Sequence, residues 1–139
     1  MAEPHSKTEP LNIVFALFPG VTHLDFTGPH QVFSRLPGAE VITASVGGHD
    51  ITTDGLTFAN LADLTKIEAC EMVCVPGGFG CAEAMLNDDY MDAIRRLSAS
   101  AKYVTSVCTG STIGTTALPT TSFPARIANH APPDVSSDV

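Results

Sequence analysis

Positively charged residues are scarce in this sequence. Seven lysines and arginines stand against 15 aspartates and glutamates, which gives a formal net charge of −8 over 139 residues. Such an acidic chain lacks the basic surface by which proteins bind nucleic acid or anionic membranes. We therefore expect neither nucleic acid nor a membrane among its partners.

Long apolar runs are also lacking. None approaches the ~20 residues that a membrane-spanning helix needs. Residues 1–10 are polar, contain two prolines and two glutamates, and have no apolar core of the kind found in secretory signals. We therefore expect a cytoplasmic protein, with residues 1–10 as a flexible N-terminal tail.

The four cysteines follow no metal-binding pattern. Cys70, Cys74, Cys81 and Cys108 form no C-x-x-C pair, and no histidine lies at ligand spacing from any of them. The spacing predicts no metal site, and we expect no cofactor. The cysteines are expected to be free thiols in a reducing compartment. Cys70 and Cys74 are expected to fill the core. Cys81 is expected to be partly exposed, without a catalytic role.

Apolar blocks alternate with turn residues along the chain. The near-continuous apolar run at residues 11–18 is typical of a strand buried on both faces of a parallel sheet. Asp54-Gly55 predicts a two-residue hairpin turn, and Thr27 is the expected N-cap of the first helix. The predicted strands are residues 11–18, 39–46, 71–75 and 102–107, and the predicted helices are residues 28–36, 82–86 and 88–101.

Strands that alternate with helices through short turns indicate an α/β three-layer sandwich with a mainly parallel sheet. We expect one such domain over residues 11–118. Residues 119–139 contain three prolines beyond Pro119 and no usable periodicity, which predicts an irregular or disordered tail.

Cys108 stands between a short β-branched run and the small residues Thr109, Gly110 and Ser111, which open a predicted helix. A cysteine on such a strand-to-helix turn lies under free backbone N–H groups, which favour thiolate over thiol. This is the thiol counterpart of the elbow used by serine hydrolases. The ordinary alternative is a small buried hydrophobic residue.

Three features meet at one edge of the predicted sheet. Asp25 follows the first strand, Gly77-Gly78 follows Val75, and Cys108 follows Val107. Because the carboxyl ends of parallel strands share one edge, these residues are expected to converge on a functional crevice. Asp25 as a helix cap and the two glycines as a sharp turn remain the structural alternatives.

Three segments resemble the ThiJ/PfpI superfamily: residues 18–30, which contain L-D-x-T-G-P, residues 73–78, and residues 103–111. The resemblance implies a class I glutamine amidotransferase-like (flavodoxin-like) fold. It is nearest to the isocyanide (isonitrile) hydratase group, in which an aspartate stands at the position of Asp25. The amidase-like domain of some AraC-type transcription regulators has similar segments.

The hydratase resemblance implies a small-molecule substrate and an enzyme that adds water to an isonitrile to give an N-substituted formamide. Cys108 would be the nucleophile and Asp25 the general acid. Thr109 would donate a hydrogen bond, and the amides of Gly77 and Gly78 would stabilise an anion. Thr109 as a simple N-cap is the alternative. The family commonly forms dimers, so a homodimer is also implied.

After Ser111 the sequence departs from the family, whose members continue into further strands and helices. We therefore expect a fold that is incomplete at its C-terminus, an open edge on the strand that precedes Cys108, and marginal stability. Such a chain carries the catalytic residues without the scaffold that holds them. The alternative function is a non-catalytic module, either a redox-sensing thiol or a ligand-binding domain related to the AraC-type regulators.

Overall fold

A computed structural model describes residues 10–117 in full and the backbone of residues 126–129. Nearly all of the predicted N-terminal tail lies outside the described residues. So do residues 118–125 and 130–139 of the predicted C-terminal tail.

The main sheet has six strands in the order β5-β2-β1-β6-β7-β8, and its neighbouring strands pair in parallel. Its strands are β1 (Leu11–Ala16), β2 (Ala39–Ser45), β5 (Ala62–Asp63), β6 (Met72–Val75), β7 (Tyr103–Ser106) and β8 (Arg126–Asn129). The helices are α1 (Leu24–Phe33), α2 (Cys81–Leu86), α3 (Asp88–Ser100) and α4 (Gly110–Ala117). This is the predicted α/β architecture with a mainly parallel sheet.

The central strand β1 is buried on both faces. Ile13, Val14 and Ala16 are fully buried, and Phe15 packs against Phe33 of α1. The chain leaves β1 toward β2 on one side and returns to build β6 and β7 on the other. Because parallel crossovers are right-handed, these opposite directions put α1 and α3 on opposite faces of the sheet.

The predicted hairpin is confirmed. Strands β3 (Ile51–Thr53) and β4 (Leu56–Phe58) pair in antiparallel fashion around Asp54 and Gly55. Both turn residues have positive φ, 50° and 78°, as the tight turns that match strand twist require. The hairpin is anchored to the domain, since Phe58 packs edge-on against Phe26 at 4.8 Å between ring centroids.

Helix α1 begins earlier than predicted. The carbonyl of His23 accepts hydrogen bonds from the N–H groups of Phe26 and Thr27, so the helix starts at Leu24 and Thr27 is not its N-cap. Pro29 lies inside the helix. The helix ends at Phe33, and the residues up to Leu36 continue in tighter turns. The early start places Asp25 in the first helical turn.

The predicted open edge beside Cys108 is wrong, because β8 pairs with the outer edge of β7 from Tyr103↔Arg126 to Ser106↔Asn129. These four residues therefore depart from the predicted irregular tail. A four-residue strand is too short to show a recognisable hydrophobic period, whereas the unpaired N–H and C=O groups of β7 provide a template for it. Within the described part of the chain, no helix is long and apolar enough to cross a bilayer.

Candidate active site

The predicted site residues lie at the carboxyl ends of β1, β6 and β7, where the strand order reverses. Strand β1 pairs with β2 on one side and with β6 on the other. The helices that follow β1 and β6 therefore diverge to opposite faces and leave a crevice between them. In open parallel sheets this is the usual position of a ligand site.

Cys108 occupies the predicted elbow between β7 and α4. Its φ of 54° lies in the left-handed region, which costs a non-glycine residue about 1–2 kcal/mol. Backbone hydrogen bonds on both sides hold this conformation: Val107 N–H donates to Val75 at 3.0 Å, and Gly110 N–H donates to Val107 at 3.0 Å. The side chain of Cys108 is exposed. The strained turn thus presents the thiol at the surface of the crevice.

The absence of a side chain at Gly110 lets α4 start directly against the end of β6. A Cβ on Gly110 would stand 2.6 Å from the carbonyl oxygen of Pro76. The elbow is therefore packed backbone to backbone, and α4 directs its N-terminus toward the crevice.

Two hydrogen bonds join the glycine turn after β6 to the other site elements. Gly77 N–H donates to Oδ2 of Asp25 at 3.1 Å, and Gly78 N–H donates to Oγ1 of Thr109 at 3.1 Å. The amides that were expected to stand open to an anion are therefore already used within the protein. Their role in this structure is to hold Asp25 and Thr109 in place.

The close approach of these groups requires a glycine at position 77. A Cβ there would stand 2.9 Å from Oδ2 of Asp25 and 2.8 Å from Oγ1 of Thr109. Both side chains thus face the same small space. Thr109 connects this group to the neighbouring Cys108, although among the described contacts no hydrogen bond joins the Asp25 carboxylate to the Cys108 thiol.

The elbow amides are the ones that stay available. Within the described residues, the backbone N–H groups of Cys108 and Thr109 donate to no other group. They lie directly before the first turn of α4, where the helix dipole favours negative charge. The crevice therefore offers donors to an anion at the elbow rather than at the glycine turn.

Cys81 is the site residue that the sequence did not reveal. It is buried, at 9% exposure, and its Sγ lies 3.4 Å from Oγ1 of Thr109. The prediction of a partly exposed side chain is wrong, because Gly80 packs against the backbone of Pro19 and Gly20 and α2 therefore starts against the body of the domain. Its position directly after a glycine-rich turn was the available signal.

Cys70 and Cys74 are buried, as predicted for core thiols. Burial raises the pKa of Cys70 to about 12 and that of Cys74 to about 11. Both thiols therefore stay protonated at neutral pH, which leaves them poor nucleophiles.

A cleft of about 180 Å³ opens beside Asp25 and reaches the end of β7. Its walls are mainly apolar and are formed by residues of β1, α1, β6 and β7, among them Phe15 and Phe33, and by Val107 directly after β7. A larger cleft of about 310 Å³ near Leu17, His49 and Glu83 contains none of the predicted site residues. Of the predicted site residues, the smaller cleft is lined by Asp25, and its wall ends at Val107, directly before Cys108.

Metal-ligating side chains do not gather at this crevice. Across the part of the chain that the structure describes, no group of three or more histidine, cysteine, aspartate or glutamate residues is arranged to hold a metal ion. The polar groups at the crevice are a carboxylate, hydroxyl and thiol groups, and backbone amides.

Comparison with known proteins gives a consistent result. The sequence model of the DJ-1/PfpI family matches residues 11–122. Isonitrile hydratase from Pseudomonas putida is 41% identical over 106 residues, which are 74% of this chain and 46% of that enzyme.

Solved structures share the fold. A THiJ/PfpI family protein from Pseudomonas syringae superposes with a TM-score of 0.72 at 30% identity, over 83% of this chain and 50% of that protein. DJ-1beta from Drosophila melanogaster superposes with a TM-score of 0.66 at 20% identity, over 77% of this chain and 60% of that protein, which is a likeness of fold alone. The chain spans about half the length of the hydratase and of the P. syringae protein.

Proposed function

The chain belongs to the DJ-1/PfpI family, and we propose that it is an isonitrile hydratase-like enzyme, a lyase that converts a small isonitrile and water into an N-substituted formamide. The observation that carries the proposal is the 41% identity to isonitrile hydratase over 106 residues, which are 74% of this chain. The bond from Gly77 N–H to Asp25 supports it, because it holds a carboxylate in the crevice into which the elbow opens.

In the first step the sulfur of Cys108 bonds to the terminal carbon of the isonitrile. The proton that the thiol gives up passes to the same carbon, with the Asp25 carboxyl as its carrier. The product is a covalent thioimidate, R–N=CH–S–Cys108. The exposed thiol on a strained turn suits this step, since the reagent can reach the sulfur without a movement of the backbone.

In the second step water adds to the thioimidate carbon, and the carbon–sulfur bond breaks. One proton of the water goes to the nitrogen and the other returns to the thiol, so that R–NH–CHO leaves and Cys108 is restored. Asp25 acts as the base that positions the water and then as the acid that supplies the protons to the nitrogen and to the departing thiolate.

Thr109 and the glycine turn complete the proposed machinery. The Thr109 hydroxyl donates to the reacting group, while the Gly77 and Gly78 amides fix the carboxylate and that hydroxyl. The elbow amides of Cys108 and Thr109 stabilise negative charge that develops in either step. A donor of this type contributes about 3 kcal/mol in well-studied enzymes.

The substrate's nitrogen substituent is assigned to the cleft beside Asp25. Its volume of about 180 Å³ and its mainly apolar walls suit a short alkyl or a single aromatic group. Anionic substituents are disfavoured there, because the Asp25 carboxylate lines the cleft and burial of a charge without a partner is costly.

The experiment is direct. Purified protein is incubated with n-butyl isocyanide, and N-butylformamide is followed by proton NMR. We expect catalytic turnover that is lost in Cys108→Ala and kept in Cys70→Ala, whose buried thiol lies before β6 at the other end of the sheet. Wild-type protein that forms no formamide above the uncatalysed rate would refute the proposal.

A second candidate function has one observation in its favour: Cys108 is exposed, whereas the other three cysteines are buried. As a redox-sensing thiol, Cys108 would be oxidised by hydrogen peroxide to a sulfenic acid while the hydrogen peroxide is reduced to water. Mass spectrometry after mild peroxide treatment tests this function. Oxidation of Cys108 ahead of the others, in protein that does not hydrate isonitriles, would favour the sensor.

A further inference from the structure

The thiol of Cys81 lies against the candidate active site, and the proposed reaction gives it no role. Cys81 is the first residue of α2 and is nearly buried. Its Sγ lies 3.4 Å from Oγ1 of Thr109, within hydrogen-bonding distance for sulfur. Because Thr109 follows Cys108 in the chain, the Cys81 thiol contacts the neighbour of the proposed nucleophile.

The hydrogen bonds of Thr109 can be counted. A hydroxyl has one proton to donate and two lone pairs to accept with. The N–H of Gly78 occupies one lone pair at 3.1 Å. One lone pair and the proton remain, and the Cys81 thiol takes one of the two. Which of them it takes decides whether the Thr109 proton is free for the reaction.

Chemistry favours the thiol as the donor. Sulfur is a weak hydrogen-bond acceptor. An O–H···S bond would therefore use the Thr109 hydroxyl proton, a strong donor, on the weakest acceptor near it. An S–H···O bond instead fills the second lone pair of Oγ1 and leaves the hydroxyl proton unused. That proton can then serve a stronger acceptor.

The free proton has a defined place to point. The space that Gly77 leaves by having no side chain lies 2.8 Å from Oγ1 of Thr109 and 2.9 Å from Oδ2 of Asp25. Among the described contacts no hydrogen bond joins Thr109 to Asp25, so a proton aimed there points into a space that the carboxylate also borders and that a substrate atom could enter. Gly78 N–H and the Cys81 thiol are the recorded hydrogen-bond partners of this hydroxyl among the described residues, at 3.1 and 3.4 Å.

We propose that Cys81 is a positioning residue, whose S–H donates to Thr109 Oγ1 and thereby orients the Thr109 hydroxyl proton toward Asp25 and the substrate. This inference rests on the proposed hydratase function. In this role Cys81 acts only through Thr109 and does not touch the reacting atoms.

A double-mutant cycle tests the assignment with n-butyl isocyanide as substrate. We expect Cys81→Ala to lower kcat about fivefold to tenfold with KM unchanged, the effect of one neutral hydrogen bond. Cys81→Ser keeps a donor and should recover most of kcat. In a Thr109→Val background, Cys81→Ala should cause no further loss, because its partner is gone.

Three outcomes of the cycle would overturn the assignment: an unchanged kcat in Cys81→Ala, a serine variant no better than alanine, or an equal further loss in the Thr109→Val background. Circular dichroism and thermal unfolding of each variant separate these effects from misfolding.

A spectroscopic measurement tests the same bond without turnover. The Raman S–H stretching band of Cys81 is isolated as the difference between wild type and Cys81→Ser, and again in the Thr109→Val background. We expect the band to move to higher frequency when Thr109 is replaced, because the S–H loses its acceptor. An unmoved band would overturn the inference. A shifted band in protein that hydrates no isonitrile would refute the proposed function and leave the Cys81 bond established.

Discussion

Strands β1 and β7 both end near the candidate site, but they differ in how deeply they are buried. From Ile13 to Ala16, β1 is at most 1% exposed, and the chain beyond it delivers Asp25 to a fixed hydrogen bond with Gly77. In β7, Tyr103 is 37% exposed, and the exposed Cys108 follows two residues after the strand ends. The site therefore combines a carboxylate held by a hydrogen bond from the glycine turn with an exposed thiol on a strained turn that backbone hydrogen bonds hold.

This difference separates stability from reactivity. The buried strand β1 tolerates little change, because each methylene group removed from a packed core leaves a cavity. A substitution at the exposed Cys108 should change the stability of the fold little but should remove the proposed catalytic activity. Each of the following measurements tests one side of that division.

The largest effect is expected at the elbow. Cys108→Ala should reduce isonitrile hydration about a thousandfold or more, as removal of a nucleophile does elsewhere. Because the side chain is exposed, the unfolding midpoint should stay within a few degrees of wild type. Formamide formation by NMR and thermal unfolding are the two measurements. Residual turnover near the wild-type rate would exclude the covalent route.

The next effect concerns stability in β1. Ile13 is fully buried, so Ile13→Ala should lower the free energy of unfolding by about 2–5 kcal/mol. Tyr103→Ala in β7 is the matched comparison and should cost about 1 kcal/mol or less. Urea unfolding of the three proteins measures both values. Equal losses of unfolding free energy would show that the two strands are buried alike. The wild-type unfolding curve also tests the predicted marginal stability.

Gly77→Ala should disturb the small space that Asp25 and Thr109 both face. Its Cβ would press on Asp25 and Thr109, both closer than 3.0 Å, so kcat should fall about tenfold to a hundredfold. Gly28→Ala is the control, since a Cβ at that helical position meets no atom within 4 Å. Steady-state kinetics of both variants decide the matter. A Gly77→Ala enzyme with normal kcat would mean that the two side chains move apart freely.

The cysteines provide a smaller chemical contrast. At pH 8 iodoacetamide should modify Cys108 and leave Cys70 and Cys74 unmodified, because burial raises the pKa of those two thiols to about 12 and about 11. Their thiolates form only as the pH rises toward those values. Peptide mass spectrometry over a time course gives the order. Early labelling of Cys74 would show that the strand is open to solvent.

The smallest effect is expected far from the site, at Asp63. Hydrogen bonds from Thr65 and Gly47 hold the pKa of this carboxyl below its usual value of 3.8. Since the folded-state pKa is the lower one, Asp63 stabilises the fold above about pH 4, and that contribution disappears as the pH falls through the folded-state pKa. Asp63→Asn should therefore flatten the acid side of the stability curve. Urea midpoints from pH 3 to 7 measure it, and an unchanged curve would contradict the assignment.

Much of the fold could be predicted because its signals are local. The apolar run that becomes β1, the Asp54-Gly55 turn and the amphipathic helix α3 each fit within a short stretch of sequence. Strand β8 could not be predicted, because its four residues pair only with the edge that β7 provides. The start of α1 was misplaced because backbone groups cap it at His23 rather than a side chain at Thr27.

For the site, the sequence by itself determined which groups stand at the carboxyl ends of the strands: Asp25, the glycine turn at Gly77 and the elbow cysteine. These positions follow from where each predicted strand ends in the sequence, because the carboxyl ends of parallel strands share one edge of a sheet. Only the tertiary structure decided that the glycine amides bind Asp25 and Thr109, and that the Cys81 thiol turns inward to contact the same hydroxyl. Those contacts join residues 28 to 52 positions apart, and hydrogen bonds at such separations depend on distances and directions that no local pattern encodes.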